Sequence, residues 1–114
     1  MSDIQYINFY DALKTNRSIR VTVTRDRSNN LFSAKASLIQ KNNTLDDISS
    51  CTTTNMSSAY EAVYSTMDAV KNHSVHQIQS EVSFVVVDEM LTEIELVQIL
   101  SDLNIICSRP FARL

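Results

Sequence analysis

The clearest periodicity in the chain is a strict alternation over residues 18–25, where Ile19, Val21 and Val23 share one face and Arg20, Thr22 and Thr24 the other. Side chains on a strand alternate sides, so this pattern predicts a half-buried β-strand. Residues 31–40 repeat it, with Phe32, Ala34, Ala36 and Leu38 on one face and Ser33, Lys35 and Ser37 on the other. The Asp- and Asn-rich stretch between them, residues 25–30, reads as the turn of a hairpin. Lys41, Asn42 and Asn43 predict the next turn. Residues 48–54, rich in β-branched threonine, predict a third and weaker strand.

Helical spacing appears in three places. Tyr6, Phe9, Tyr10 and Leu13 predict a short N-terminal helix that Thr15 and Asn16 would end. Ser58 and Glu61 have capping-box spacing, and Met56, Tyr60, Val63, Tyr64, Met67 and Val70 form an apolar stripe that should stop near Asn72 and His73. Thr92 and Glu95 form a second capping box, with Leu91 and Leu96 placed as a hydrophobic staple. Leu96, Ile99, Leu100 and Leu103 would be the buried stripe of that last helix.

Residues 82–87 are almost continuously apolar, the pattern of a strand buried on both faces and central in a sheet. Ile105, Ile106 and Cys107 suggest a last short strand, ended by Pro110. The predicted order is therefore α-β-β-β-α-β-α-β. It implies a single α+β domain over residues 1–114, with a three-stranded antiparallel meander and helices packed mainly on one face of the sheet.

The chain contains no glycine. Walker-type and dinucleotide loops need close backbone approach to phosphate, and a Gly-x-Ser-x-Gly elbow needs its glycines, so these chemistries are excluded. Cys51 and Cys107 have no metal-ligand spacing and read as reduced thiols. His73 and His76, with only Glu81 or Asp88 nearby in sequence, read as surface or capping histidines. The sequence thus predicts no catalytic residues, no metal and no cofactor.

Charge is uneven. Residues 1–42 hold seven bases and three acids, a net of +4, and residues 43–114 hold three bases and ten acids, a net of −7. Such asymmetry fits either one basic and one acidic surface or two halves that attract each other within the fold. Arg17, Arg20, Arg25, Arg27 and Lys35 would share the outer face and edge of the first hairpin as a nucleic-acid-binding surface. The net charge of −3 and a lack of solvent-facing aromatics argue against that use.

Thr53, Thr54 and Asn55 before the second helix, with Asp26 and Asp88 after two strands, resemble ribonuclease H. That resemblance implies two metal-binding carboxylates at Asp26 and Asp88. Ala59 stands where the family has a helical Glu, so it also implies a degenerate domain with little or no activity. Residues 56–63 are similar in pattern to the last helix of ribosome-associated hibernation factors, although the basic residues of that family are missing.

The function expected from sequence is a small, non-catalytic protein-interaction domain with a protein partner. The Asn-, Ser- and Thr-rich, glycine-free style suits a phage- or virus-encoded modulator of a host protein. No apolar run approaches the ~20 residues that cross a bilayer, so a soluble, cytoplasmic protein without membrane contact is expected. A homodimer would follow if the long strand over residues 31–40 lay uncovered at the sheet edge.

Overall fold

A computed structural model describes residues 2–10, 18–39, 45–72, 82–86, 90–105 and 112–113. Its elements are β1 (Ser2–Tyr10), β2 (Ser18–Asp26), β3 (Leu31–Ile39), β4 (Leu45–Met56), α1 (Ala59–Asn72), β5 (Val82–Val86), α2 (Glu93–Asp102) and β6 (Ala112–Arg113). The six strands form one sheet in the order β4-β3-β2-β1-β5-β6. All neighbours are antiparallel except β5 and β6.

The α+β class stands, but the predicted element order does not. The N-terminal segment is a strand, not a helix, and the meander has four strands, not three. The physical reason lies in what β1 carries on each face. Ile7 and Phe9 face the core, yet so do the polar Asp3 and Gln5; Ile4 and Tyr6 face the other way. Polar residues inside and apolar ones outside erase the alternation that marks a strand. What remains, Tyr6-Phe9-Tyr10, happens to match helical spacing. Leu13, Thr15 and Asn16 lie outside the described residues, as do Cys107 and Pro110.

The core is one layer between the sheet and the two helices. Ile7 and Phe9 of β1, Val21 and Val23 of β2, and Ala34 and Ala36 of β3 line the sheet side. Ala59, Ala62, Val63, Met67 and Val70 of α1 close over them, with Leu96, Ile99 and Leu100 of α2. The stripe of α1 is rotated from the predicted one. Ala59, Ala62 and Thr66 point inward, while Tyr60 and Tyr64 sit half-buried at the side. Alanines on both α1 and β3 let the helix backbone approach the sheet, and Thr66 Oγ1 lies 3.3 Å from the Ala34 carbonyl and 3.0 Å from Thr53 Oγ1.

Both helix starts are capped locally. The Glu61 N–H donates to Ser58 Oγ, while the Glu61 carboxylate accepts from Ser57 Oγ. At α2 the full capping box forms between Thr92 and Glu95, and the staple residues Leu91 and Leu96 are fully buried. The α2 end closes with the paired bonds of a Schellman motif, Asn104 N–H to Ser101 C=O and Ile105 N–H to Leu100 C=O. The left-handed position there is Asn104, at φ 55. Asn30 in the β2–β3 turn and Asn55 in β4 also have positive φ. Asparagine, whose short polar side chain tolerates this region, fills all three left-handed positions among the described residues of a chain without glycine.

The strand expected at the sheet edge, β3, is internal, flanked by β2 and β4. The edges are β4 and the two-residue β6, and the pairing of β4 with β3 is irregular. The step from Phe32 to Ala34 faces the step from Met56 to Thr53, and Asn55 takes its positive φ there. The step from Lys35 to Ser37 faces a longer one, from Thr52 to Asp47. Such bulges twist and interrupt an edge, which discourages further strand pairing.

Candidate binding face

The register fixes what the sheet shows on the side away from the helices. Tyr6, Thr22, Lys35 and Thr52 form one rung across β1, β2, β3 and β4, and Ile4, Thr24 and Ser33 form the neighbouring one. Lys35 and Thr52 are exposed; Tyr6, Thr22 and Thr24 are half-buried. Both described helices contribute to the core on the opposite side, so neither covers these rungs.

Arg20 is the organised group on this face. It pairs directly across the strands with Asn8, whose Oδ1 accepts from Arg20 Nε at 2.9 Å. Tyr6 is its diagonal neighbour on β1, and the Arg20 guanidinium lies 5.0 Å from the Tyr6 ring centroid. Diagonal neighbours stand ~7–8 Å apart at Cα, within reach of a long side chain. The ring and the amide therefore hold the guanidinium from two directions. Lys35 is a diagonal neighbour of Arg20 on β3. Asn8 and Ser37, one rung further along, are buried.

Arg25 and Arg27 do not join this group. Arg25 pairs across the strands with Asp3 at the core-side end of the sheet, and both arginines bind the Asp3 carboxylate. Arg27 reaches it through Nε at 3.0 Å and Nη2 at 2.5 Å. Hydrogen bonding from Arg27 lowers the Asp3 carboxyl; burial opposes this, Arg25 adds to it, and the carboxyl is held at about 2. The ion pairs between described residues thus lie within the N-terminal half and do not join the two halves. Arg17 is outside the described residues. Of the five sequence-predicted cations, the sheet brings Arg20 and Lys35 together and turns Arg25 away.

The ribonuclease H-like placement of two carboxylates is not reproduced. β1 lies between β2 and β5, so the strand ending at Asp26 is not beside the strand preceding Asp88. Asp26 is exposed and occupied in the turn, where its Oδ1 accepts from Ser28 N–H at 3.0 Å and Ser28 Oγ at 2.7 Å. Those bonds hold its carboxyl below the ordinary value. Asp88, His73, His76 and Glu81 lie outside the described residues. Among the described residues, no three His, Cys, Asp or Glu side chains cluster as metal ligands.

The helix layer has a different character. Glu61, Asp68, Glu93, Glu95 and Asp102 stand on α1 and α2 against Lys71. Tyr60 and Tyr64 stack at a centroid distance of 6.1 Å, and Tyr60 Oη lies 3.5 Å from Asp102 Oδ2. Burial and the Asp102 charge push the Tyr60 phenol above its ordinary value. Ile94 and Val97 of α2 are 80% and 51% exposed. Cys51 is a buried thiol on β4.

Sequence reasoning placed Arg20 and Lys35 on the outer face but missed Tyr6 and Asn8, because it assigned both to a helix. A signal was present: once residues 2–10 are read with period two, Tyr6 and Asn8 fall opposite Ile7 and Phe9.

No family model, curated protein or solved structure matches the chain. No helix among the described residues is long and apolar enough to cross a membrane.

Proposed function

We propose that this chain is a small, non-catalytic interaction domain of the cytoplasm whose recognition surface is the helix-free face of the sheet. The observation that carries the reading is the Tyr6–Arg20–Asn8 arrangement beside exposed Lys35. An arginine fixed by a ring and an amide before any partner arrives loses little side-chain entropy on binding. Tyrosine and arginine are also the residue types that anchor interfaces. The partner in this reading is a protein, the kind of ligand that tyrosine and arginine anchors meet at interfaces.

The test uses the purified chain, immobilised and exposed to cytoplasmic extract. A stoichiometric partner should be retained by the wild type and by Ile94→Asp on the helix layer, and lost by Tyr6→Ala and Lys35→Glu. Retention by the sheet-face variants and loss by Ile94→Asp would move the interface to the helices. A second reading, nucleic-acid binding, gains from one correction: with β1 a strand, Tyr6 is an aromatic on the same face as two cations.

A further inference from the structure

We propose that the outer ridge of α2 is a second docking face, and that its occupant is a basic amphipathic helix of another protein. This ridge lies in the helix layer, away from Tyr6 and Arg20, and its use does not depend on theirs.

Ile94, Gln98 and Asp102 follow one another at intervals of four, and Val97 and Ser101 form the next row. The five side chains therefore make one strip along the helix. All five are exposed. Ile94 and Val97 are 80% and 51% exposed, and among the described residues they are the large apolar side chains left in that state. They stand one turn apart on one helix, whereas stray surface apolar residues are scattered singly.

The other end of the strip carries an unmatched charge. Asp102 is the last residue of α2, where the helix dipole favours a cation, yet the last turn holds no basic residue. Asp102 meets only the neutral Tyr60 hydroxyl, at 3.5 Å. Glu95, two turns back on the same side, accepts from the neutral Thr92 N–H and hydroxyl. Burial pushes the Tyr60 phenol up, and the charges of Asp102 and Glu95 add to it, so both carboxylates act at this border. Lys71 of α1 is eleven residues beyond Tyr60, ~16 Å along the helix. Glu93 already has a partner and adds nothing to the strip.

One occupant relieves both ends. An apolar side chain against Ile94 and Val97 and a Lys or Arg against Asp102 must stand ~12 Å apart, the rise of eight helical residues. A helix lying along α2 presents both from a single face. Other occupants bring the wrong charge or shape. A second copy of this ridge would set Glu95 and Asp102 near the same acids, and a nucleic acid or an anionic membrane is repelled by them. An added strand needs a sheet edge, which α2 does not offer.

The probe is a labelled helical peptide of about five turns, built from Ala, Leu and Lys, with Leu along one face and Lys bordering it. It is titrated with the intact protein by fluorescence anisotropy at low salt. Binding is expected, and a permuted peptide of the same composition without an apolar face should bind far more weakly. Ile94→Ser should weaken binding about tenfold by removing apolar contact. Asp102→Asn should weaken it about two- to fivefold and make its salt dependence shallower. Asp26→Asn removes the same charge from the exposed β2–β3 turn and should change nothing. Thr52→Ala, exposed on the sheet face, should be equally silent.

No binding at low salt overturns the proposal, as does equal binding of the permuted peptide. Binding that ignores Ile94→Ser, or that Asp26→Asn weakens as much as Asp102→Asn does, also overturns it, since the attraction would then be general rather than seated on this ridge. A dimer in light scattering that Ile94→Ser dissociates would make a second copy the occupant and overturn it as well.

Discussion

Gln5 of the first strand grips the backbone of Leu91 through both ends of its side-chain amide. Nε2 donates to the Leu91 carbonyl at 3.0 Å, and Oε1 accepts from the Leu91 N–H at 2.9 Å. Gln5 and Leu91 are both fully buried. The contact joins β1 to the entry of α2 and satisfies two backbone groups that water does not reach. Gln5→Met keeps the length of the side chain and removes both polar atoms. Each stranded group costs ~1–3 kcal/mol, so the variant should lose about 2–6 kcal/mol of stability in urea unfolding. A loss under about 0.5 kcal/mol would contradict the role given to Gln5.

Asp3 makes the stability of the fold sensitive to acid. Its carboxyl is lowered from 3.8 to about 2 in the folded protein, so the folded state binds that proton less readily than the unfolded chain does. The contribution is complete above 3.8 and fades as pH falls through about 2. Asp3→Asn removes it at every pH. The gap in urea midpoint between wild type and Asp3→Asn should therefore be largest near neutrality and shrink as pH drops across that window. A gap that stays constant down to pH 2 would show that Arg25 and Arg27 do not hold the carboxyl as described.

Asn104 ends α2 at φ 55, a conformation costly for residues with an ordinary Cβ. Asn104→Ala should destabilise by ~1–2 kcal/mol. Asn104→Gly should match or exceed the wild type, because glycine takes this region freely. Thermal unfolding of the two variants side by side separates backbone strain from any side-chain role of Asn104.

Ala36 of β3 is fully buried within the layer that faces α1. Its small size sets how closely the helix approaches. Ala36→Leu should cost ~1–3 kcal/mol by overpacking, although it adds apolar surface. Ser33→Leu, half-buried on the opposite side of the same strand, should cost far less. Equal costs in chemical denaturation would place α1 elsewhere.

The sequence was legible wherever one pattern acted alone. β2 and β3 carry apolar residues on the core face and polar ones on the other, so Val21, Val23, Ala34 and Ala36 alternate cleanly. The α2 cap was legible because Thr92, Glu95, Leu91 and Leu96 act within one turn. β1 was not, because its buried polar residues are satisfied only by distant partners, Asp3 by Arg25 and Arg27, and Gln5 by Leu91. Local periodicity cannot reveal a polar residue whose partner lies 86 positions away. The misreading carried through to the binding face, since a helical Tyr6 would have pointed into the core. The half-buried Arg20 and the exposed Lys35 were legible as sharing a face, but their neighbour Tyr6 was not.

The central claim is that the open sheet face around Tyr6, Arg20 and Lys35 is where this domain meets its partner. Amide chemical-shift mapping during titration with the protein partner retained from cytoplasmic extract tests it most directly. The account predicts shifts concentrated at Tyr6, Arg20, Thr22, Thr24 and Lys35, with Glu61, Asp68 and Ile94 unmoved. Shifts confined to α1 and α2 would contradict it.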